Sequence, residues 1–303
     1  MINFEKVSKF ILSDISINIP KGEIVGLIGA SGSGKTTFVR LACGLLTPDL
    51  GRVRVLGKNP VDYRQKYFSD VSTFIVGKNL LDKETSVIQN FEMLRIMYGI
   101  NKSEFYKRYN EISEMLDFKG YEYEKVISLS FGQKMRVEVA AALILEPMLL
   151  LLDEPTVGMD QNAKECLTKI LKEKASEGMT ILITSHDMQS ISNICTRLAI
   201  IDKGTLIYYG SKERLRRKYL PKNKMTITFE GEMPNIDDLP INRYTIDNDK
   251  ITYEYNDNYI SSSEVVEVIL DQTEIRDINI EKSELESIVM QIIGGQNEFY
   301  RSE

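Results

Sequence analysis

The eight residues Gly29-Ala30-Ser31-Gly32-Ser33-Gly34-Lys35-Thr36 constrain this chain more than any other feature. They fit the spacing G-x-x-x-x-G-K-[ST], in which glycines let backbone N–H groups turn toward phosphate oxygens. The apolar run Ile24-Val25-Gly26-Leu27-Ile28 precedes the loop, and a helical pattern over Thr37–Leu45 follows it. Strand, glycine-rich turn and helix N-terminus together aim a positive dipole end at the phosphates. Gly29, Ser31, Gly32, Ser33, Gly34, Lys35, Thr36 and Thr37 therefore read as a nucleotide-binding set. Lys35 reaches the β- and γ-phosphates and the Thr36 hydroxyl can ligate Mg²⁺, so the implied ligand is ATP with Mg²⁺.

Short apolar runs alternate with helical patterns through the first 210 residues, which predicts an α/β domain. Besides Ile24–Ile28, the runs Val71–Val76, Met148–Leu152, Thr180–Thr184 and Arg197–Ile201 read as strands of a sheet covered on both faces. Residues from about 80 to 145 turn mostly helical and predict a lobe inserted into that core, with a helical run at Lys134–Leu145. Net charge changes sign along the chain. Residues 1–220 carry 31 Lys and Arg against 26 Asp and Glu, whereas 221–303 carry 7 against 18. The change sets a domain boundary near 220, with 221–303 a small α+β domain. Strands are expected there at Met225–Phe229, Ile251–Tyr255 and Ile275–Ile280, and helices at Ser263–Leu270 and Ser283–Ile293.

Three further elements carry chemistry. Asp153-Glu154 follows the run 148–152, placing two acids at the C-terminal end of a strand, where ligands of parallel sheets gather. Asp153 suits the Mg²⁺ shell; Glu154 suits orienting and polarising an attacking water. His186, the one histidine in the chain, follows the strand 180–184 at the same end and can contact a γ-phosphate. Leu129-Ser130-Phe131-Gly132-Gln133 opens a helix, so Ser130 and the Gly132 N–H form either a second phosphate-binding terminus or a plain serine N-cap.

In this order the elements resemble the nucleotide-binding subunit of an ABC transporter, over residues 1 to about 220. Ser130, Phe131, Gly132 and Gln133 look like the family signature LSGGQ, with Phe131 replacing the first glycine. Gly158-Met159-Asp160 resembles the D-loop, with Asp160 its acid. The resemblance implies a P-loop NTPase of the ABC ATPase type and a head-to-tail dimer with a second copy or a paralogous subunit. Each Ser130 then acts in trans, and hydrolysis drives a separate polytopic membrane permease. The stretches Leu152–Asp160 and Thr184–Gly210 look most like exporter ATPases that pair with ABC-2-type permeases. A permease would dock on the lobe at Asp82–Met97 and hold the chain at the cytoplasmic face of the membrane. Two places depart from the family. Its glutamine after the strand Val71–Val76 is replaced by Gly77-Lys78-Asn79. That leaves open slow hydrolysis, Asn79 as a substitute ligand, or a site used mainly for binding. The adenine-stacking aromatic has only Phe10 as a candidate.

Composition narrows the alternatives. No run of about 18 apolar residues exists, so nothing in the sequence spans a membrane as a helix. The start of the chain lacks the layout of a secretory signal. Cys43, Cys166 and Cys195 form no zinc or disulfide pattern and read as reduced thiols of a cytosolic protein. A net charge of −6 argues against non-specific binding to nucleic acid. The rival readings are a soluble ABC ATPase of DNA repair, translation or iron–sulfur assembly, and a regulatory ATP-binding protein of low turnover. The acidic region 221–303 is compatible with bracing a dimer, contacting a permease or sensing.

Overall fold

The structure is a computed structural model that describes residues 1–62, 70–78, 80–186, 188–218, 223–231, 233–235, 243–255, 260–281, 288–289 and 292–293. The chain divides into two units, Met1–Ser211 and Lys212–Glu303, a division that falls ahead of the change in charge near residue 220.

The first unit holds a six-stranded sheet in the order β5-β6-β7-β3-β8-β9. Its strands are β3 (Ile24–Ile28), β5 (Val71–Ile75), β6 (Leu149–Asp153), β7 (Thr180–Ser185), β8 (Arg197–Asp202) and β9 (Thr205–Ser211). All pair in parallel except β9, which runs antiparallel to β8. Every residue of β3, β6 and β7 is buried, as expected of apolar strands covered on both faces. A second, antiparallel sheet joins β1 (Ile2–Lys9), β2 (Leu12–Ile19) and β4 (Leu50–Val55) in the order β2-β1-β4. Sequence reasoning missed these three strands and β9. Phe4 of β1 stacks on Phe38, with ring centroids 4.1 Å apart, fixing this sheet to the helix α1 (Lys35–Ala42).

The inserted lobe is built from α2 (Val87–Met97), α3 (Lys102–Met115) and α4 (Phe131–Leu143) around Phe91, Phe105, Tyr109 and Phe118. Ser86 and Gln89 close a capping box on α2, and Ser130 and Gln133 close another on α4. The second box explains why α4 begins at Phe131 rather than at the expected Lys134. Helix α1 stops at Ala42 rather than Leu45, because Gly44 takes a left-handed φ of 73°. Helices α5 (Gln161–Ser176) and α6 (Met188–Ile194) complete the unit.

The second unit opens with α7 (Lys212–Lys218). Its antiparallel sheet, order β11-β12-β10-β13, comprises β10 (Asn223–Glu230), β11 (Arg243–Asp247), β12 (Lys250–Tyr255) and β13 (Glu274–Glu281). Met225, Ile227, Ile251 and Tyr253 on one sheet face pack on Val265 and Ile269 of α8 (Ser262–Leu270). Of the expected helix Ser283–Ile293, residues 288–289 and 292–293 are described and helical, and the others lie outside the described residues.

Gly26 lies at the closest approach of β3 to α6. A Cβ there would sit 2.6 Å from Ile191 Cγ2 and 2.8 Å from Cys195 Sγ. Gly26→Ala is therefore expected to destabilise the first unit by about 1–3 kcal/mol through overpacking. Denaturant titration of the two proteins checks this; equal midpoints would show that the helix yields freely.

Candidate functional site

Helix α1 starts inside the glycine-rich loop because Gly34, its N-cap, adopts φ 113°, a conformation open to glycine. Ala30, Ser31 and Gly32 lie on the exposed side of the loop, while Ser33, Gly34 and Lys35 are buried. The Lys35 ammonium, 8% exposed, donates to the Gly29 carbonyl at 2.8 Å and the Ala30 carbonyl at 3.1 Å. Burial holds its pKa below the usual lysine value, and the carboxylates of Glu154 and Asp153 pull it back up. Nζ is 4.0 Å from Glu154 Oε1.

The two acids are set by one threonine. Thr184 Oγ1 donates to Asp153 Oδ1 at 2.6 Å, and the same hydroxyl accepts the Glu154 amide at 2.9 Å. That amide also reaches the Thr184 carbonyl at 3.2 Å. These bonds hold Glu154 at φ 54°, a left-handed conformation that costs a non-glycine residue about 1–2 kcal/mol. Asp153 Oδ2 accepts from Thr36 Oγ1 at 2.9 Å. Glu154 Oε2 lies 2.9 Å from His186 Nδ1, so glutamate and histidine form a pair, with the His186 side chain 67% exposed. Lys35, Thr36, Asp153, Glu154 and His186, spread over 152 positions, thus converge on one sheet edge. Thr184 went unnoticed in the sequence. Its only signal is a hydroxyl at the end of an apolar strand.

Ser130 begins α4, and its hydroxyl accepts the Gln133 amide at 3.3 Å while Gln133 Oε1 accepts the Ser130 amide at 2.9 Å. The plain N-cap is therefore present, and the Ser130 O–H keeps its own proton to donate. Phe131 is 56% exposed. Asp160 N-caps α5 through the Ala163 amide at 2.9 Å and pairs with Arg136 of α4, another residue the sequence did not single out. These contacts hold the Asp160 carboxyl below its ordinary pKa, the Ala163 amide first among them.

Residues 12–157 match the family model for ABC transporters. The chain is 36% identical over 225 residues to a methionine import ATP-binding protein of Clostridium acetobutylicum, covering 71% of this chain and 70% of that protein. The chain belongs to the ABC transporter ATP-binding family. It is also 33% identical over 211 residues to the linearmycin resistance ATP-binding protein of Bacillus subtilis, covering 68% and 66% of the two chains. Among solved structures, the dimer of the bacterial ABC transporter cassette MJ0796 overlays with a TM-score of 0.63 at 25% identity, covering 70% of this chain and 98% of that one.

As an ABC ATPase the chain hydrolyses ATP with Mg²⁺, and subunits of this family dimerise and work with membrane permeases. The residues present fit both ligands. A buried ammonium and the orphaned buried Ser33 hydroxyl lie in the loop, and Thr36 and Asp153 stand ready as a hydroxyl–carboxylate pair. Two protein ligands suffice, because Mg²⁺ in such sites takes its remaining oxygens from phosphates and water. When bound, it neutralises charge on the phosphates. No larger cluster of His, Cys, Asp and Glu suits a metal among the described residues. The substitute ligand considered for the missing glutamine, Asn79, lies outside the described residues. Phe10 sits in the β1–β2 turn, 72% exposed. The following residues border the phosphate loop, since a Cβ on Gly34 would lie 2.4 Å from Leu12 Cδ2 and 3.3 Å from Ile11 Cγ2.

Thr36→Ala removes the hydroxyl that Asp153 accepts and that would serve as a ligand of Mg²⁺. The gain in ATP affinity on adding Mg²⁺ should fall about tenfold, or ~1.4 kcal/mol. Titrations of ATP with and without Mg²⁺ measure it; an undiminished gain would exclude Thr36 as a ligand.

Proposed function

We propose that this ABC transporter subunit powers export through a separate ABC-2-type permease. The observation that carries a permease partner is on α2. Met93, Ile96 and Met97 fall on one helix face and are 44%, 66% and 76% exposed, while Val87 and Phe91 on the other face are fully buried. An apolar helical stripe open to solvent suits a short helix of a membrane protein laid across it. Attachment through that partner would hold the subunit at the cytoplasmic face of the membrane; among the described residues no helix is long and apolar enough to cross it. Similarity to a linearmycin resistance protein favours export. The second reading, import, is favoured by the similarity to a methionine import protein.

At the site, Gly29–Thr37 bind the triphosphate, Thr36 and Asp153 hold Mg²⁺, and Glu154 orients and polarises the attacking water. His186 steadies Glu154 and faces the γ-phosphate, and Phe10 stacks on adenine. In a head-to-tail dimer, Ser130 and the first-turn amides of α4 close over the partner's phosphates, with Phe131, Gly132 and Gln133 at that interface. Asp160 acts from within its own chain by fixing α5 against Arg136. Residues 221–303 form the accessory domain of this arrangement.

Glu154→Gln keeps the shape and removes the charge, so it should bind ATP, accumulate as a closed dimer and lose nearly all turnover. Wild-type turnover would remove Glu154 from the chemistry. Pull-down of tagged Glu154→Gln from solubilised native membranes with Mg-ATP should bring down a polytopic membrane protein. Met97→Glu added to that chain should abolish the capture while ATP binding persists. Recovery of soluble partners alone would defeat the transporter-partner reading, and transport assays in inverted vesicles separate export from import by direction.

A further inference from the structure

From Val137 to Leu143, α4 is entirely buried, and every residue but one is valine, alanine or leucine. The exception is Glu138, 2% exposed. An alanine or valine would pack there without removing a carboxylate from water, a transfer that is unfavourable unless its oxygens are hydrogen-bonded. Glu138 Oε2 accepts from the Leu80 amide at 2.8 Å, and Oε1 is buried with no hydrogen-bond partner. Burial raises the Glu138 pKa, opposed by the Leu80 amide, Lys134, the Leu81 amide and Lys83. The side chain also lines a cavity of about 110 Å³ with Val76, Gly77, Lys78, Phe131 and Lys134, roomy enough to admit water.

The partner of this carboxylate gives it meaning. Ile75, the last residue of β5, pairs in register with Asp153, so the chain leaves the sheet at Val76 level with Glu154. It turns at Gly77, φ 83°, with the Lys78 amide donating to the Ile75 carbonyl at 3.0 Å. Two buried polar side chains from the lobe then hold it. Glu138 takes the Leu80 amide, and Asn90 of α2, also 2% exposed, takes the Asp82 amide at 2.7 Å. Among the described residues of this loop, Val76, Gly77, Lys78, Leu80 and Leu81 carry no acceptor in their side chains. At Leu80 and Asp82 the backbone is therefore held from outside. Asn90 ties it to the lobe alone; Glu138 ties it to the helix that begins at Ser130.

We propose that Glu138 is a positioning residue for hydrolysis, fixing the loop that leaves the sheet beside Glu154 to the helix that carries the signature residues. Its part is not to meet the nucleotide or the attacking water but to act through the backbone at Leu80. Among the described residues its hydrogen bond goes to Leu80 and not to the phosphate loop, so its loss is expected to act on the geometry around Glu154 rather than on ATP affinity.

The test uses the full chain carrying Glu138→Ala, Glu138→Gln or Glu138→Asp, with steady-state ATPase kinetics, a thermal melt and binding of a fluorescent ATP analogue. Glutamine keeps an acceptor at the right length; aspartate keeps the charge but is one methylene short. Glu138→Ala and Glu138→Asp are expected to lose about tenfold in kcat, with KM for ATP within about twofold of wild type, as for misplacement of groups remote from the bound ligand. Glu138→Gln should return to within about threefold of wild type. Should Glu138→Ala fail to fold, the comparison of Gln with Asp decides: a fast Gln and a slow Asp support the proposal. Wild-type kcat in Glu138→Asp overturns it. So does equal loss in Gln and Asp, or a loss confined to KM or to melting temperature.

Discussion

Asp153 ends β6 at 3% exposure, with a threonine hydroxyl on each carboxylate oxygen: Thr36 on Oδ2, Thr184 on Oδ1. A buried carboxylate persists when its oxygens are satisfied in this way, and these two bonds come from different elements, α1 and β7. Asp153 therefore locks the start of the nucleotide-binding helix to two central strands of the sheet. Thr184 adds a second constraint, because the same hydroxyl receives the Glu154 amide and holds that residue in its left-handed conformation. Deprived of the Thr184 hydroxyl, the Glu154 amide would keep only the Thr184 carbonyl, and the aim of its carboxylate toward His186 would loosen.

The pairing of Asp153 with Thr184 is one rung of the β6–β7 ladder, and Ile28 meets Ser185 on the next ladder over. A slip of one residue would turn each of these side chains to the opposite face of the sheet. The buried strands β3, β6 and β7 are held in this register along their full length. Core packing and chemistry are thus the same register. The polar groups all appear where the parallel strands end, the edge at which parallel sheets leave backbone and side chains free for a ligand.

This division explains what the sequence disclosed. Strands covered on both faces leave uninterrupted apolar runs, so β3, β5, β6, β7 and β8 could be read directly, as could the phosphate loop and the acids that follow β6. The sheet of β1, β2 and β4 is interrupted by register shifts, between Phe4 and Val7 and again before Lys9, and its residues Lys6, Phe10 and Asp14 take positive φ. Each shift breaks the two-residue alternation that marks a strand, so no clean pattern survives. Helix starts were legible in principle. Ser130-x-x-Gln133 and Ser261-x-x-Glu264 are capping boxes written in the sequence, and Ser130 as the N-cap already fixes the start of α4 at Phe131. Arg136 and Glu138 left weaker traces. Each is a charged residue set between apolar neighbours on α4, a sign that shows a partner exists without saying which.

Phe131 is a large, exposed side chain in the first turn of α4, and the contacts around it show why the fold accommodates it. A Cβ on the next residue, Gly132, would lie 2.7 Å from the Gly158 carbonyl oxygen, so the backbone of α4 meets the turn before α5 at van der Waals distance there. At 131 the side chain instead points outward, and its ring lies over Gly158, where a Cβ would come within 2.3 Å of Phe131 Cδ1. The two glycines are therefore interdependent: Gly132 admits the turn, and Gly158 admits the ring. A Cβ at 158 would require the Phe131 ring to turn away, whereas no side chain fits at 132 unless the backbone moves. With Arg136 gripping Asp160 one helical turn further on, the first turn of α4 and the segment Gly158–Asp160 are joined by a ring, a backbone contact and an ion pair. Displacement of one must carry the other, which physically couples Ser130–Gln133 to the residues that follow Glu154.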